Sequence, residues 1–242
     1  MNEFMKDFIK RNLPQFEDNF DVIITNEKEE KYKITAKDNV VTVEASNYIC
    51  ACNGIYEYLK EYCNVQYSWC GTFSFDLKKL KMFNGTFEKT IDQHFRVYLN
   101  YCTLDYSMCW WDFARWEKEI DFMAMNGINM PLTPIGSEAV WYETLQEFKF
   151  TKEEALGFIS GPAFWAWQLM TNIDSYISPK SEEYVYNRLE LVRKSSKDAL
   201  SLVCSRFSRD FPDTFRHCLK RNILMLLFLC KKAGALSGDC SA

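Results

Sequence analysis

The sequence predicts an α/β protein, with a small α+β domain over residues 1–90 and parallel βα units over residues 91–242. Three observations lead to this prediction. Short strand patterns surround one apolar helical stripe in the first part, and strand, loop and helix patterns alternate from Phe95 onward. Hydrophobic residues make up 48% and charged residues 26% of the 242-residue chain, so it can bury a core of its own.

The predicted first domain begins with a helix, because residues 4–9 place apolar side chains at helical spacing. Three strands are expected at residues 21–25, 31–36 and 40–45, since their side chains alternate or run apolar. Asp38-Asn39 supplies a hairpin turn between the last two. We therefore expect a three-stranded sheet.

A second helix is expected across that sheet. Ser46 can cap it. Its buried stripe would consist of Ile49, Cys52, Tyr56, Leu59 and Cys63. This domain shows no recognisable nucleophile or acid–base pair, so its expected role is packing or placement.

The second part alternates strands with helices. Residues 95–102 read as a strand with one polar face, and Asp112 caps a helix that Asn126-Gly127 closes. A strand over 128–132 follows, and then a helix from Glu138 to about residue 148. Further helices begin at the capping box formed by Thr151 and Glu154, at Gly161-Pro162, and at residues 179–181.

Charge and composition argue against several classes of protein. The net charge is −4 and basic residues are dispersed among acidic ones, which does not suit a nucleic-acid-binding face. The longest apolar run, residues 223–230, is far shorter than a membrane span, and residues 1–13 lack the apolar centre of a secretory signal. Ten cysteines without a Cys-x-x-Cys pair, with only two histidines, argue against a zinc site. A disulfide framework is possible, but a chain of this length does not need one, so buried free thiols are favoured.

Three residues near the end of the 95–102 strand are candidates for ligand binding. Asn100 and Cys102 lie two apart, so we expect their side chains on one face of the strand, and Tyr106 follows in the next loop. An amide, a thiol and a phenol suit a neutral polyhydroxylated ligand. The alternative is that they fill a barrel core. Trp116 is assigned to helix packing, whereas Trp110 and Trp111 could line a cleft or wedge beneath it.

Glycoside chemistry usually needs two carboxylates, and several in this region are candidates. Glu138 follows a strand and a glycine, a suitable position for a site residue. Glu119 is expected to be a buried partner of Arg115, and Glu117 with Asp121 a solvated helix edge. Arg188 is expected on the surface.

Several unusual sequence words in this region are similar to those of one enzyme family. They are Arg96-Val-Tyr-Leu-Asn-Tyr-Cys-Thr, Tyr106-Ser, Trp110-Trp111-Asp112, Arg115-Trp116-Glu117-Lys118-Glu119-Ile120-Asp121, residues 123–129, Gly136-Ser137-Glu138-Ala139-Val140-Trp141 and Gly161-Pro162-Ala163-Phe164-Trp165-Ala166-Trp167. This stretch resembles the α-N-acetylglucosaminidases, glycoside hydrolase family eighty-nine. Ser137 stands where that family usually has glutamine.

The resemblance implies a (β/α)8 TIM barrel that removes terminal α-linked N-acetylglucosamine with retention, acting in animals on heparan sulfate in the lysosome. It also implies that Asn100, Cys102, Tyr106 and Trp167 contact the sugar, and Glu138 joins them as a candidate substrate-binding residue. The partner is then a carbohydrate with terminal N-acetylglucosamine, and no cofactor is required.

The resemblance covers only part of such a barrel. A barrel needs about 250 residues, whereas 151 follow Ile91 (242 minus 91), and the family's two catalytic glutamates lie on later strands. We therefore expect the first three or four βα units, an atypical tail from about residue 192, no activity of this chain alone, and self-association through an exposed sheet edge. The alternative function is a non-catalytic carbohydrate-binding or interaction module; a further possibility is an unfolded remnant.

Overall fold

The computed structural model describes residues 1–68, 77–132, 135–174 and 180–203, with the backbone alone over 195–203. Most of the expected atypical tail, including the apolar run 223–230, lies outside the described residues, as do Pro179 and the cysteines at positions 70, 204, 218, 230 and 240. Within the part of the chain that is described, no helix is both long and apolar enough to cross a membrane.

The first 90 residues form a four-stranded sheet covered by two helices. The elements are α1 (Glu3–Asn12), a 3-10 helix (Pro14–Asn19), β1 (Phe20–Ile24), β2 (Lys31–Lys37), β3 (Val40–Ala45), α2 (Tyr48–Glu61) and β4 (Phe83–Thr90). The strand order is β1-β3-β2-β4, in which β1 runs parallel to β3 and the other pairs are antiparallel. Asp38 and Asn39 form the expected hairpin turn, and both have positive φ, as primed turns require.

The prediction of three strands was wrong, because β4 adds a fourth at the edge of the sheet. Its side chains are largely exposed, and Asn84-Gly85 interrupts its strand-favouring Phe and Thr residues, so no continuous apolar pattern marks it in the sequence. A bulge interrupts its pairing with β2 opposite Thr35, between the Ile34 and Ala36 positions. An edge strand needs only one neighbour, which explains why so polar a segment can still pair.

All five residues of the apolar stripe predicted on α2 are buried, and all but Ile49 belong to the core cluster that includes the sheet. The predicted cap is wrong by one position. Asn47 caps α2 by accepting the Cys50 N–H at 2.9 Å. The Ser46 hydroxyl instead bonds the Lys31 backbone, accepting its N–H at 3.0 Å and donating to its carbonyl at 3.2 Å. Ser46 therefore ties β2 to the start of α2.

The core of the first 90 residues extends into the next helix, α4 (Phe113–Met125). Ile120, Met123, Ala124 and Met125 belong to the same buried cluster as the sheet and α2. Asp121 was expected on a solvated edge, but it is 2% exposed because α1 covers it. Arg11 donates two hydrogen bonds to its carboxylate, at 2.8 and 3.1 Å, and the Asn12 amide donates a third. This ionic contact fixes α4 against α1.

The remaining described residues form a partial TIM-barrel-like region without a closed barrel. Its elements besides α4 are β5 (Val97–Tyr98), the one-turn helix α3 (Tyr101–Thr103), a π-helical turn (Leu104–Met108), β6 (Met130–Pro131), α5 (Ser137–Glu147), α6 (Lys152–Phe158), α7 (Trp165–Leu169) and α8 (Glu182–Val203). Strands β5 and β6 pair in parallel and α4 connects them, which is one βα unit. The predicted α/β class, with an amino-terminal domain before a partial barrel, is confirmed. Self-association through the sheet edge stays a prediction.

Candidate functional site

The segment after β5 does not continue as the strand that was expected to residue 102. Leu99 has a φ of +73°, which ends the strand, and Asn100 caps α3 by accepting the Thr103 N–H at 2.9 Å. Asn100 and Cys102 therefore do not share a strand face. The Asn100 side chain is exposed, whereas Cys102 is half-buried with its Sγ 3.9 Å from the Met170 Sδ at the end of α7. The turn after β5 thus rests against α7.

Tyr106 and Trp167 form an aromatic pair across that contact. Tyr106 lies in the π-helical turn with 74% of its surface exposed, and Trp167 lies half-buried in α7. Their ring centroids are 5.6 Å apart with the planes at 84°, an edge-to-face arrangement. The structure therefore places three of the predicted site residues on the turn after β5 and on α7, which contact each other: Tyr106, Trp167 and the half-buried Cys102. The exposed face of the pair is apolar with polar edges.

The tryptophans before α4 separate into exposed and packed residues. Trp110 is 76% exposed. Trp111 packs edge-on against Trp116 at 5.1 Å, and the Arg115 guanidinium lies 3.6 Å from a Trp111 ring centroid. Trp116 is buried, which confirms its assignment to packing. Arg115 also makes the expected ion pair with Glu119, at 3.1 Å.

Glu138 lies at the start of α5, where its carboxyl group is buried in an ion pair. One oxygen accepts the Gly136 N–H at 2.7 Å, and the other is 3.3 Å from Arg188 Nε. Arg188 was expected on the surface, but it is buried because α8 packs this side against α4 and α5, and it also donates to the Cys109 carbonyl at 3.0 Å. Burial raises the pKa of Glu138, and the Arg188 charge opposes that rise.

Asp105 is a buried residue of this region that sequence reasoning missed. Its Oδ2 accepts the Ala166 N–H at 2.7 Å, while its Oδ1 is buried without a hydrogen-bond partner. Burial raises the pKa of Asp105 to about 6; the backbone N–H groups of Ala166 and Trp167 oppose the rise. No local sequence signal could have found it, because its partner lies 61 positions away.

Ser137 has a defined contact at the position where the resembling family usually carries glutamine. Its hydroxyl oxygen accepts a hydrogen bond from the Trp165 indole Nε1 at 2.9 Å. Trp165 is fully buried and belongs to the cluster that joins α5, α6 and α8. The small hydroxyl therefore satisfies an indole N–H that would otherwise be left without a partner.

Three buried carboxylates of the described region are bound by other side chains or backbone groups, whereas Asp105 keeps one oxygen without a hydrogen-bond partner. Glu119 accepts from Tyr98 and Arg115, Asp121 from Arg11 and Asn12, and Glu138 from Gly136 and Arg188. The described residues contain no group of three or more His, Cys, Asp or Glu that could hold a metal ion. What the exposed turn offers is an aromatic face, an amide and a thiol.

Two family models match the sequence. The alpha-N-acetylglucosaminidase N-terminal domain matches residues 3–79, and the alpha-N-acetylglucosaminidase TIM-barrel domain matches residues 96–218. Human alpha-N-acetylglucosaminidase is 36% identical over 151 residues, which are 62% of this chain and 20% of the human protein. The chain thus spans about a fifth of the length of that curated relative.

Solved structures of a family 89 glycoside hydrolase from Clostridium perfringens share the fold. The complex with PUGNAc gives a TM-score of 0.76 at 31% identity, covering 82% of this chain and 23% of the bacterial one. A variant with two glutamate-to-glutamine substitutions, in complex with its substrate GlcNAc-alpha-1,4-galactose, gives 0.77 over the same shares. The similarity extends over both parts of the chain described above.

Proposed function

Because the chain belongs to the alpha-N-acetylglucosaminidase family, glycoside hydrolase family 89, we propose that its described region forms part of a binding site for terminal α-linked N-acetylglucosamine. The observation that carries the proposal is the edge-to-face pair of Tyr106 and Trp167. An aromatic ring with an apolar face and a polar edge stacks against the C–H face of a pyranose, while its neighbours hydrogen-bond the hydroxyl groups.

Four residues would contact the sugar. Tyr106 and Trp167 supply the aromatic surface, the exposed Asn100 amide supplies donors and an acceptor, and the Cys102 thiol lies half-buried beside α7. Glu138 is the fifth candidate. Since its carboxylate is paired with Arg188, direct contact with a sugar hydroxyl requires this ion pair to open.

The proposed reaction of a family-length protein is retaining hydrolysis of terminal α-linked N-acetylglucosamine on heparan-sulfate-type glycans. Retention needs two carboxyl groups about 5–5.5 Å apart on either side of the bond. The engagement of Glu119, Asp121 and Glu138 by other side chains supports assigning sugar binding, and not bond cleavage, to the described residues. A chain that binds without cleaving would act as a carbohydrate-binding module, the alternative function.

Calorimetry with N-acetylglucosamine and with GlcNAc-α-1,4-galactose tests the proposal. We expect saturable binding, and a weakening of about two- to twelvefold in Y106A and in W167A, from the loss of aromatic contact. Tyr186 gives a matched control, because it is an exposed tyrosine on α8 that packs edge-to-face on Tyr142 at 6.2 Å. Y186A should bind as the unmodified chain does.

The outcomes separate the candidate functions. If the chain binds N-acetylglucosamine but does not release the phenol from an aryl α-N-acetylglucosaminide, its function is sugar binding without hydrolysis. Turnover that E138Q abolishes would contradict it. Absence of any saturable binding by the folded chain would refute the binding proposal itself.

A further inference from the structure

The aromatic pair Tyr106 and Trp167 is formed by residues that directly follow the two partners of a hydrogen bond. Asp105 precedes Tyr106, Ala166 precedes Trp167, and the Ala166 N–H donates to Asp105 Oδ2 at 2.7 Å. The two inner residues are buried, while the Tyr106 ring points outward. This hydrogen bond therefore connects the π-helical turn to the start of α7, next to the residues that form the ring pair.

No shared apolar cluster fixes the orientation of these two backbones. The π-helical turn contributes Leu104 and Met108 to a cluster with Trp116 and Ile135, whereas α7 contributes Trp165 to a different cluster with α5, α6 and α8. The hydrophobic effect is non-directional, and two separate clusters do not by themselves set the angle between the segments that they bury. A short hydrogen bond to a carboxylate is directional and strong, and it restricts the relative angle of the two segments.

The first turn of α7 has no local side-chain cap. Its flanking residue, Phe164, makes no capping bond, so the N–H groups at its start need an acceptor from elsewhere. Asp105 supplies that acceptor to Ala166, and the Trp167 N–H also stabilises its carboxylate form. The acceptor therefore comes from a segment 61 positions earlier in the chain.

We propose that Asp105 is a positioning residue: its carboxylate holds the start of α7 to the π-helical turn and so sets the geometry of Tyr106 against Trp167. The effect on sugar affinity rests on the proposed function; the effect on the two segments does not. Asp105 itself is buried, whereas Tyr106 is exposed, so Asp105 acts through Tyr106 and Trp167.

The surroundings of the carboxylate make this tie depend on its ionisation. The groups that face Asp105 are Glu138 from α5, Arg188 and Tyr184 from α8, and Cys109 from its own segment. The negative charge of Glu138 disfavours ionisation of Asp105, and the positive charge of Arg188 favours it. Its second oxygen has no hydrogen-bond partner, which leaves the charge undercompensated. Protonation near pH 6 weakens the acceptor, so the tie should loosen as the pH falls through that value.

Nuclear magnetic resonance of the full chain tests the tie without any sugar. In the unmodified protein, the amide proton shifts of Ala166 and Trp167 should titrate with a midpoint near pH 6, and they should be flat in D105N. In D105A, both amides should exchange with deuterium about tenfold faster or more. Asp112→Ala is the matched control, since Asp112 caps α4 through the Arg115 N–H at 2.9 Å and leaves α7 untouched.

The sugar measurement is separate. D105A should weaken N-acetylglucosamine binding about three- to tenfold, and D112A should leave it unchanged. An Ala166 amide shift that is the same in D105N as in the unmodified chain at every pH from 4.5 to 7.5 would overturn the proposal even if D105A fails to fold. Equal acceleration of exchange in D105A and D112A would overturn it as well, as would faster exchange in D105A with unchanged sugar affinity. If the unmodified chain binds no sugar, the proposed function fails, while the amide measurements still decide the role of Asp105.

Discussion

Replacing Arg188 by Met tests the buried ion pair with Glu138. The two side chains are 10% and 1% exposed, so the charges are almost completely removed from water. Met fills a similar volume but leaves the Glu138 carboxylate with the Gly136 N–H and without a counter-ion. Breaking a buried pair in this way costs about 3–5 kcal/mol, because the remaining charge stays desolvated.

The same helix provides a matched control. Arg193 pairs with Glu190 on the surface of α8, where the two side chains are 61% and 54% exposed. An exposed pair of this kind contributes about 0–1 kcal/mol, so R193M should unfold almost as the unmodified chain does. Urea unfolding at pH 7.5, followed by tryptophan fluorescence, would measure both free energies.

Two further observations distinguish the ion pair from general packing. E138Q introduced into R188M should recover part of the loss, since it removes the uncompensated charge. The pKa of Glu138 is raised in the folded protein by burial, so the folded form holds its proton more tightly than the unfolded chain does. The deficit of R188M should therefore be largest above that raised pKa and shrink as the pH falls through it. The reasoning is refuted if R188M costs no more than R193M, or if E138Q gives no recovery.

Three other predictions follow from the described residues. G136A should lower the free energy of unfolding in urea by about 1–3 kcal/mol more than G127A does. Both glycines have positive φ, but only a Cβ at Gly136 would lie 2.9 Å from Val192. Adding V192A should recover the difference, and equal costs of G136A and G127A would contradict this prediction. Relative to D105N, the unmodified chain should lose roughly 1–3 kcal/mol of stability as the pH rises from 4 through 6. The reason is that the pKa of Asp105 is about 6 in the folded chain and near 3.9 in the unfolded chain. Melting temperatures of the two proteins that change in parallel with pH would refute this prediction. Among the described cysteines, Cys102 should react first with iodoacetamide in peptide mapping, because the other four thiols are buried; faster labelling of any of those four would be inconsistent with the fold.

Sequence patterns predicted the features of this fold that short segments determine. Asp112 caps α4, Gly127 closes it with a φ of +70°, and Thr151 with Glu154 forms the expected capping box, since each involves residues within a few positions. Cys50 and the other described cysteines are free, as was expected of a chain long enough not to need disulfides. Local chemistry was sufficient for the helix ends.

Features that depend on distant partners were missed or wrong. Strand β4 packs on the core only through Phe83 and Phe87, and its other side chains are exposed, so no continuous apolar pattern marks it in the sequence. Arg188 follows a surface-like pattern along α8, yet its partner Glu138 lies 50 positions away on α5. Asp105 was overlooked for the same reason. The candidate sugar contacts came from the strand pattern and from a family resemblance. Their arrangement, with Asn100 as a helix cap and Tyr106 against Trp167, needed the three-dimensional structure.

The extension of the first core into α4 has a consequence for biosynthesis. A nascent chain leaves the ribosome from its amino terminus, so the sheet and α2 emerge well before Ile120, Met123 and Met125, which complete their apolar cluster. Until then, the face that α4 will cover is open to solvent and to other nascent chains. The Arg11 side chain likewise cannot form its ion pair until Asp121 has been synthesised. The most vulnerable interval of synthesis therefore lies between the appearance of β4 and that of α4, when protection by a chaperone would matter most.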